Sequence, residues 1–271
     1  LLGTRDDMGL SRFKKTEGND METLPTLSFG QYNLVFNVFS LTLAAFAAST
    51  IFFFMQRSRV APEYRTAITI TGLVTFIALY HYVQILFDWK SAYQLVDGAY
   101  VASGQPFNDA YRYVDWLLTV PLLLVELLLV MRLSKQETVS KGWLLGGLAA
   151  LMIILGYPGE VSADMGTRWL WWSLSMIPFL IILYQLFIGL GDAIARQPAS
   201  ARGLVSAARY LTVIAWLFYP MVFLFPMLGL TGAGAETAVQ VGYSIADIVA
   251  KAVFGLLIYT IAVIKTDSEA A

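Results

Sequence analysis

The chain has 271 residues and a net charge of -1, with 58% of its residues hydrophobic and 14% charged. Soluble domains carry about 25% charged residues, so this balance specifies a polytopic membrane protein, and the lack of a basic excess argues against a nucleic-acid partner. With no cysteine and a single histidine, disulfides, thiolate metal sites, thiol catalysis and a histidine-clustered metal are excluded.

Residues 1–20 begin Leu1-Leu2-Gly3-Thr4-Arg5 and are polar, with no apolar core of signal-peptide length. They read as a poorly ordered tail or a processed terminus. Seven apolar segments follow, each marked by the length and hydropathy of a membrane span. They run roughly Tyr32–Met55, Ala67–Phe87, Asp109–Met131, Gly142–Tyr157, Trp169–Leu190, Tyr210–Leu228 and Ala238–Ile264. The fourth is the shortest and is expected to gain a turn at either end. The expected fold is therefore an all-α membrane protein, a seven-transmembrane-helix bundle over residues 31–266. An N-terminal extracellular tail (1–30) and a cytoplasmic C-terminal tail (267–271) flank it.

Orientation follows from the basic residues in the loops. Arg57, Arg59 and Arg65 lie in the first, Arg132, Lys135 and Lys141 in the third, and Arg196, Arg202 and Arg209 in the fifth. The second loop has one lysine, the fourth only Arg168 and the sixth none. Odd-numbered loops are thus expected in the cytoplasm, with the N-terminus outside. In the second loop, Tyr93-Gln94-Leu95-Val96 and Ala99-Tyr100-Val101 flank Asp97-Gly98, which predicts a short β-hairpin on the outer face.

Charges inside membrane spans are costly and mark function by default. His81, in segment two, can be either a satisfied interior residue or a tuner of a nearby carboxylate. In segment three Asp115, Thr119 and Glu126 are four and seven residues apart, so they line one helical stripe. The two carboxylates are roughly 16 Å apart along the axis, and together with the hydroxyl they outline a proton route; interhelical hydrogen bonding is the plainer alternative. Arg112 shares the face of Asp115 and can hold it ionised. Trp116, Trp171, Trp172, Trp216 and Tyr219 suit the walls of a slot for a flat conjugated ligand, although aromatic stripes are commonly packing. Pro121 and Pro220 can kink segments three and six. In segment seven Asp247 and Lys251 share a face. They are either an ion pair locking helices together or a lysine awaiting a carbonyl ligand as a Schiff base, with the aspartate as counterion.

Arg112-Tyr113-Val114-Asp115-Trp116-Leu117-Leu118-Thr119-Val120-Pro121 together with Asp247-Ile248-Val249-Ala250-Lys251 resembles the microbial rhodopsins, seven-helix retinal proteins. The resemblance covers essentially Met21 to Lys265. The set Asp115, Thr119, Glu126 is similar to that of the outward proton pumps of the proteorhodopsin and xanthorhodopsin groups. Phe107-Asn108-Asp109-Ala110-Tyr111, Gly156-Tyr157-Pro158-Gly159-Glu160 and Gln240-Val241-Gly242-Tyr243 resemble the xanthorhodopsin-like branch.

The resemblance implies all-trans-retinal on Lys251, Asp115 as counterion and proton acceptor, Asp247 as second counterion and Glu126 as cytoplasmic proton donor. It makes His81 the hydrogen-bond partner of the acceptor and Arg112 the residue separating the acceptor from the exit. Trp116, Leu123, Gly156, Trp172, Trp216 and Tyr219 become pocket residues, with Leu123 at a position that is leucine in green-absorbing relatives and glutamine in blue-absorbing ones. Antenna-bearing members resemble one another in a helix-five glycine where this chain has Trp172, so no carotenoid is expected. A light-driven outward proton pump, homo-oligomeric as a trimer or pentamer in the cell membrane, is the implied function. A sensory rhodopsin signalling to a membrane partner is the alternative, and a retinal-free bundle a second one.

Overall fold

The computed structural model describes residues 24–108 and 110–270, so the disorder expected for residues 1–20 lies outside what is described. Seven helical spans among these residues are long and apolar enough to cross a membrane. A strand, β1 (Leu27–Ser28), leads into α1 (Phe29–Gln56) and then α2 (Arg65–Ala92). The hairpin strands β2 (Tyr93–Val96) and β3 (Ala99–Ala102) precede α3 (Ala110–Met131), α4 (Lys135–Glu160) and α5 (Met165–Tyr184). After a π-helical turn (Gln185–Gly189) and a short helix (Gly191–Ala195) come α6 (Ala199–Phe223) and α7 (Ala233–Ala270).

Consecutive helices pack side by side, and α7 closes the ring against α1 while also touching α2, α3 and α6. The central share of α3 is 61% buried, against 22% for α4 and α5, so the polar stripe of α3 faces protein rather than lipid. Outer faces expose large apolar groups such as Leu41, Phe76, Leu180 and Ile214, the surface that a bilayer solvates.

The expected hairpin is present and gains a strand. β1 pairs antiparallel with β3, giving the order β1-β3-β2. Tyr93 faces Ala102 and Val96 faces Ala99 across the turn. Asp97 and Gly98 have φ of 49° and 84°, the paired left-handed conformation of a type I′ turn, which asparagine, aspartate and glycine adopt most readily. Ring stacking of Tyr100 on Tyr32, 3.6 Å between centroids, fastens the sheet to α1.

Helix ends extend beyond the apolar segments wherever capping takes over from hydropathy. α4 starts seven residues before Gly142, at a capping box: Ser134 Oγ accepts the Glu137 N–H, and the Glu137 carboxylate accepts the Ser134 N–H. Asp164 caps α5 by accepting the Thr167 N–H at 2.7 Å, and that hydrogen bond holds its carboxyl below the usual range. α6 begins at Ala199, eleven residues before Tyr210, because its first turns carry Arg202 and Arg209 and fall below a hydropathy threshold. It stops at Phe223; Pro226–Leu228 forms a separate 3-10 turn. Both α3 and α6 run through their prolines without ending.

Candidate functional site

Six residues converge where α3 and α7 meet. The α-helical geometry of α7 gives way at Ile248–Val253 to a π-helical segment that contains Lys251; such segments recur at functional sites. Lys251 Nζ donates to Asp247 Oδ1 at 2.7 Å and lies 2.9 Å from Asp115 Oδ2. Each of the three residues is 1% exposed. Tyr82 and Tyr219 donate to the two oxygens of Asp247, at 2.8 Å and 2.6 Å. Arg112, also buried, reaches the Tyr82 hydroxyl at 3.4 Å and lies 4.9 Å over the Tyr243 ring. Two cations and two carboxylates thus share one interior cluster whose formal charges sum to zero, the arrangement that makes burial tolerable.

From this cluster a polar chain leads toward the sheet end of the bundle. Arg112 donates to Gln240 Oε1, and Gln240 Nε2 donates to Glu236 Oε1 at 3.0 Å. His81 stands on the other side of Asp115. Its Nδ1 lies 2.9 Å from the Ile77 carbonyl, which can only accept, so the hydrogen is on Nδ1. The same nitrogen is 3.8 Å from Asp115 Oδ1, an electrostatic contact longer than the hydrogen bond anticipated from the resemblance. Thr119 donates to the Asp115 backbone carbonyl at 2.8 Å, so it bonds within its own helix rather than between carboxylates.

Glu126 is fully buried toward the arginine-rich end and apart from the cluster. Its Oε2 lies 2.7 Å from Thr71 Oγ1, which also lies 3.0 Å from the Ala67 carbonyl. One hydroxyl hydrogen cannot serve both acceptors at once. A protonated Glu126 donating to Thr71, with Thr71 donating to Ala67, satisfies both contacts, and an uncompensated interior carboxylate is avoided.

An apolar slot runs from Lys251 between α3, α4, α5 and α6. Trp116, Leu123, Gly156, Trp172, Trp216 and Tyr219 all line it, whereas Trp171, also expected in its walls, does not. Its walls are almost wholly apolar and aromatic, the character of small-molecule sites. Lys251 is the one charged group among its lining residues. Gly156 matters here because a Cβ on it would stand 3.4 Å from the Tyr113 ring. Residues that the sequence did not single out complete the site: Tyr82 and Thr71 as hydrogen-bond partners, and Tyr113, Met176, Phe179 and Tyr243 as slot walls. Nothing in their spacing announces them, since each partner lies on another helix.

A seven-helix bundle with a buried lysine held by two carboxylates at the mouth of an aromatic slot defines the rhodopsin class of membrane protein. The chain belongs to the bacteriorhodopsin-like protein family, whose sequence profile matches residues 34–265. It is similar to the structure of xanthorhodopsin, described as a light-driven ion pump with dual chromophore, at 54% identity and a TM-score of 0.88, over 91% of this chain and 99% of that one. Thermophilic rhodopsin is 47% identical with a TM-score of 0.87, over 92% of this chain and 100% of that one. The green-light absorbing proteorhodopsin of Gamma-proteobacterium EBAC31A08 is 32% identical over 235 residues, 86% of this chain and 87% of its own.

Proposed function

We propose that the protein is a light-driven outward proton pump carrying all-trans-retinal on Lys251. The observation that carries this reading is the pair of differently placed carboxylates: Asp115 in contact with Lys251 Nζ, and Glu126 sequestered against Thr71. The slot suits the cofactor, being apolar and aromatic with a primary amine among its lining groups. Retinal bound there as an imine would supply light absorption and a displaceable proton on the Lys251 nitrogen.

The chain's own groups provide the rest. Asp115 takes the proton of that nitrogen. Asp247, fixed by two tyrosine hydroxyls, keeps its negative charge beside the nitrogen throughout. Glu126 returns a proton from the opposite side, and Arg112, Gln240 and Glu236 lead charge from Asp115 toward the sheet end. With the basic loops in the cytoplasm, the sheet end faces outward, the C-terminal end of α7 faces inward, and transport is outward. A homo-oligomer, trimer or pentamer, enters this reading through the resemblance alone. A sensor has no need of an internal donor such as Glu126. Cells expressing the protein should acidify their medium under light; a photocycle without acidification would favour the sensory alternative.

Colour provides an independent check on the slot. Leu123 is 3% exposed and lines it without a dipole, so green absorption is expected and Leu123→Gln should move the band to the blue. A wild-type band already in the blue would assign tuning to other residues.

Retinal as the sole chromophore is part of the same proposal. The Trp172 indole lines the slot and donates from Nε1 to the Pro220 carbonyl at 3.1 Å, so swinging out to lipid would break a bond to α6. Placing another ring in its volume would cost roughly 1–3 kcal/mol in overpacking. Incubation with a hydroxylated carotenoid should leave the excitation spectrum of retinal emission unchanged, and carotenoid vibronic peaks should emerge only in Trp172→Gly. Such peaks in the wild type would overturn the assignment.

A further inference from the structure

Among the described residues, two further cations are buried beyond the retinal cluster, Arg168 and Lys265. Lys265 is 3% exposed, and all three of its ammonium hydrogens have acceptors. Nζ lies 2.9 Å from the Val130 carbonyl, 3.3 Å from the Met131 carbonyl and 2.9 Å from Gln197 Oε1. Val130 and Met131 are the last residues of α3, so Lys265 caps the negative end of that helix from α7. Gln197 is buried too, and its Nε2 donates to the Met131 carbonyl at 3.0 Å and to Ala193 at 3.1 Å. Directly after Met131 the chain turns through Arg132 in the left-handed region, φ 53°, a conformation unfavourable for a residue with a Cβ. Arg132 is held there by Glu269 at 2.8 Å, and Glu269 accepts from the Tyr64 hydroxyl at 2.6 Å. The end of α3 is therefore fixed by α7 and by the connection between α5 and α6. It lies one helical turn, roughly 6 Å, beyond Glu126.

We propose that Lys265 is a positioning residue for proton uptake: with Gln197 it forms a buried plug over the end of α3 that sets how fast protons from the arginine-rich side reach Glu126. The proposal rests on the reading of Glu126 as internal donor. The plug closes without a carboxylate at Nζ, since the three acceptors are neutral oxygens. It can therefore open by losing hydrogen bonds alone, with no ion pair at Nζ to break. Gln197 is the weak point, because it sits immediately before Pro198 and the start of α6 and is held to Lys265 by one side-chain bond.

The test is flash photolysis of the retinal-loaded protein with a pH-indicating dye, which separates return of the proton to the Lys251 nitrogen from uptake out of the bulk. In Lys265→Met, uptake should accelerate by about fivefold or more. Return of the proton to Lys251 should stay within about twofold of wild type. Gln197→Leu should act in the same direction while leaving the Lys265 bonds to Val130 and Met131 in place, and it decides the matter if Lys265→Met does not fold. Lys265→Arg, which can donate to the same carbonyls, should bring uptake back to within about twofold of wild type. Unchanged or slowed uptake in the foldable variants overturns the plug. If Glu126→Gln leaves proton return to Lys251 untouched, the donor reading falls and takes the proposal with it. A slow return in Glu126→Gln combined with unaltered uptake in Lys265→Met and Gln197→Leu overturns the plug alone.

Discussion

Asp115→Asn is expected to shift the visible band to the red and abolish pumping. Lys251 Nζ is shared by Asp115 and Asp247, but the two carboxylates are not equivalent. Asp247 is held by Tyr82 and Tyr219 as well as by Lys251, so its charge is fixed by hydrogen bonds that favour the ionised form. Asp115 has the lysine at 2.9 Å as its ionic contact and the His81 ring nitrogen at 3.8 Å, and its own helix occupies Thr119 elsewhere. It is therefore the carboxylate free to change protonation. Its negative charge stabilises a ground state with positive charge on the Lys251 nitrogen more than an excited state in which that charge spreads along the polyene. Neutralising it lowers the excitation energy. Acid, which protonates Asp115, should produce the same red shift, and the asparagine variant should no longer respond to acid in that way. Removing one partner of a buried ion pair typically costs about 3–5 kcal/mol, so the variant should also be less heat-stable. An acid titration without a red shift would remove Asp115 from the counterion role. The midpoint belongs to the coupled group of Asp115, Asp247, Arg112 and His81 rather than to one residue.

Glu126→Gln should slow return of the proton to the Lys251 nitrogen by on the order of 100-fold or more, the usual worth of a positioned acid. The amide keeps the volume and can still pair with Thr71, which lies 2.7 Å from the carboxyl, so packing is preserved while the transferable proton is lost. Added azide, a small diffusible acid, should restore much of the rate by delivering protons directly into the interior. An unchanged decay in flash photolysis would sink the donor assignment. The Thr71 contact suggests a gentler variant as well: Thr71→Val removes the hydroxyl that shares the Glu126 proton, and should alter the rate of proton return without eliminating it.

Composition and spacing made the bundle legible. The seven apolar segments, the Asp97-Gly98 turn and the charged face of Asp247 and Lys251 are all local properties of the chain, and local properties are what periodicity and turn chemistry report. Helix ends were displaced where side-chain capping decides them, as at Ser134, or where arginines extend a helix past its apolar part, as in α6. Strand β1 is two residues long and owes its existence to the edge of β3, so no pattern in Leu27-Ser28 could announce it. In the site, the residues on the α3 and α7 stripes were readable because one helix places them together. Tyr82 on Asp247, Thr71 on Glu126 and Gln240 on Arg112 were not, because these pairs lie 165, 55 and 128 residues apart. Their pairing is a product of how the helices stand against one another. Lys265 shows the same limit from the other side: it reads as a basic residue at the end of a span, yet it is buried against carbonyls more than 130 positions away.

The most direct measurement is a photocurrent across a planar membrane holding the oriented protein, recorded while the salts on both sides are exchanged. A proton pump driven through Glu126 and Asp115 predicts a stationary current under continuous light. That current should persist with sodium, potassium and chloride replaced by impermeant ions, fall in Glu126→Gln and vanish in Asp115→Asn. A current that disappears when those ions are removed, or a transient charge shift with no stationary component, would contradict the account.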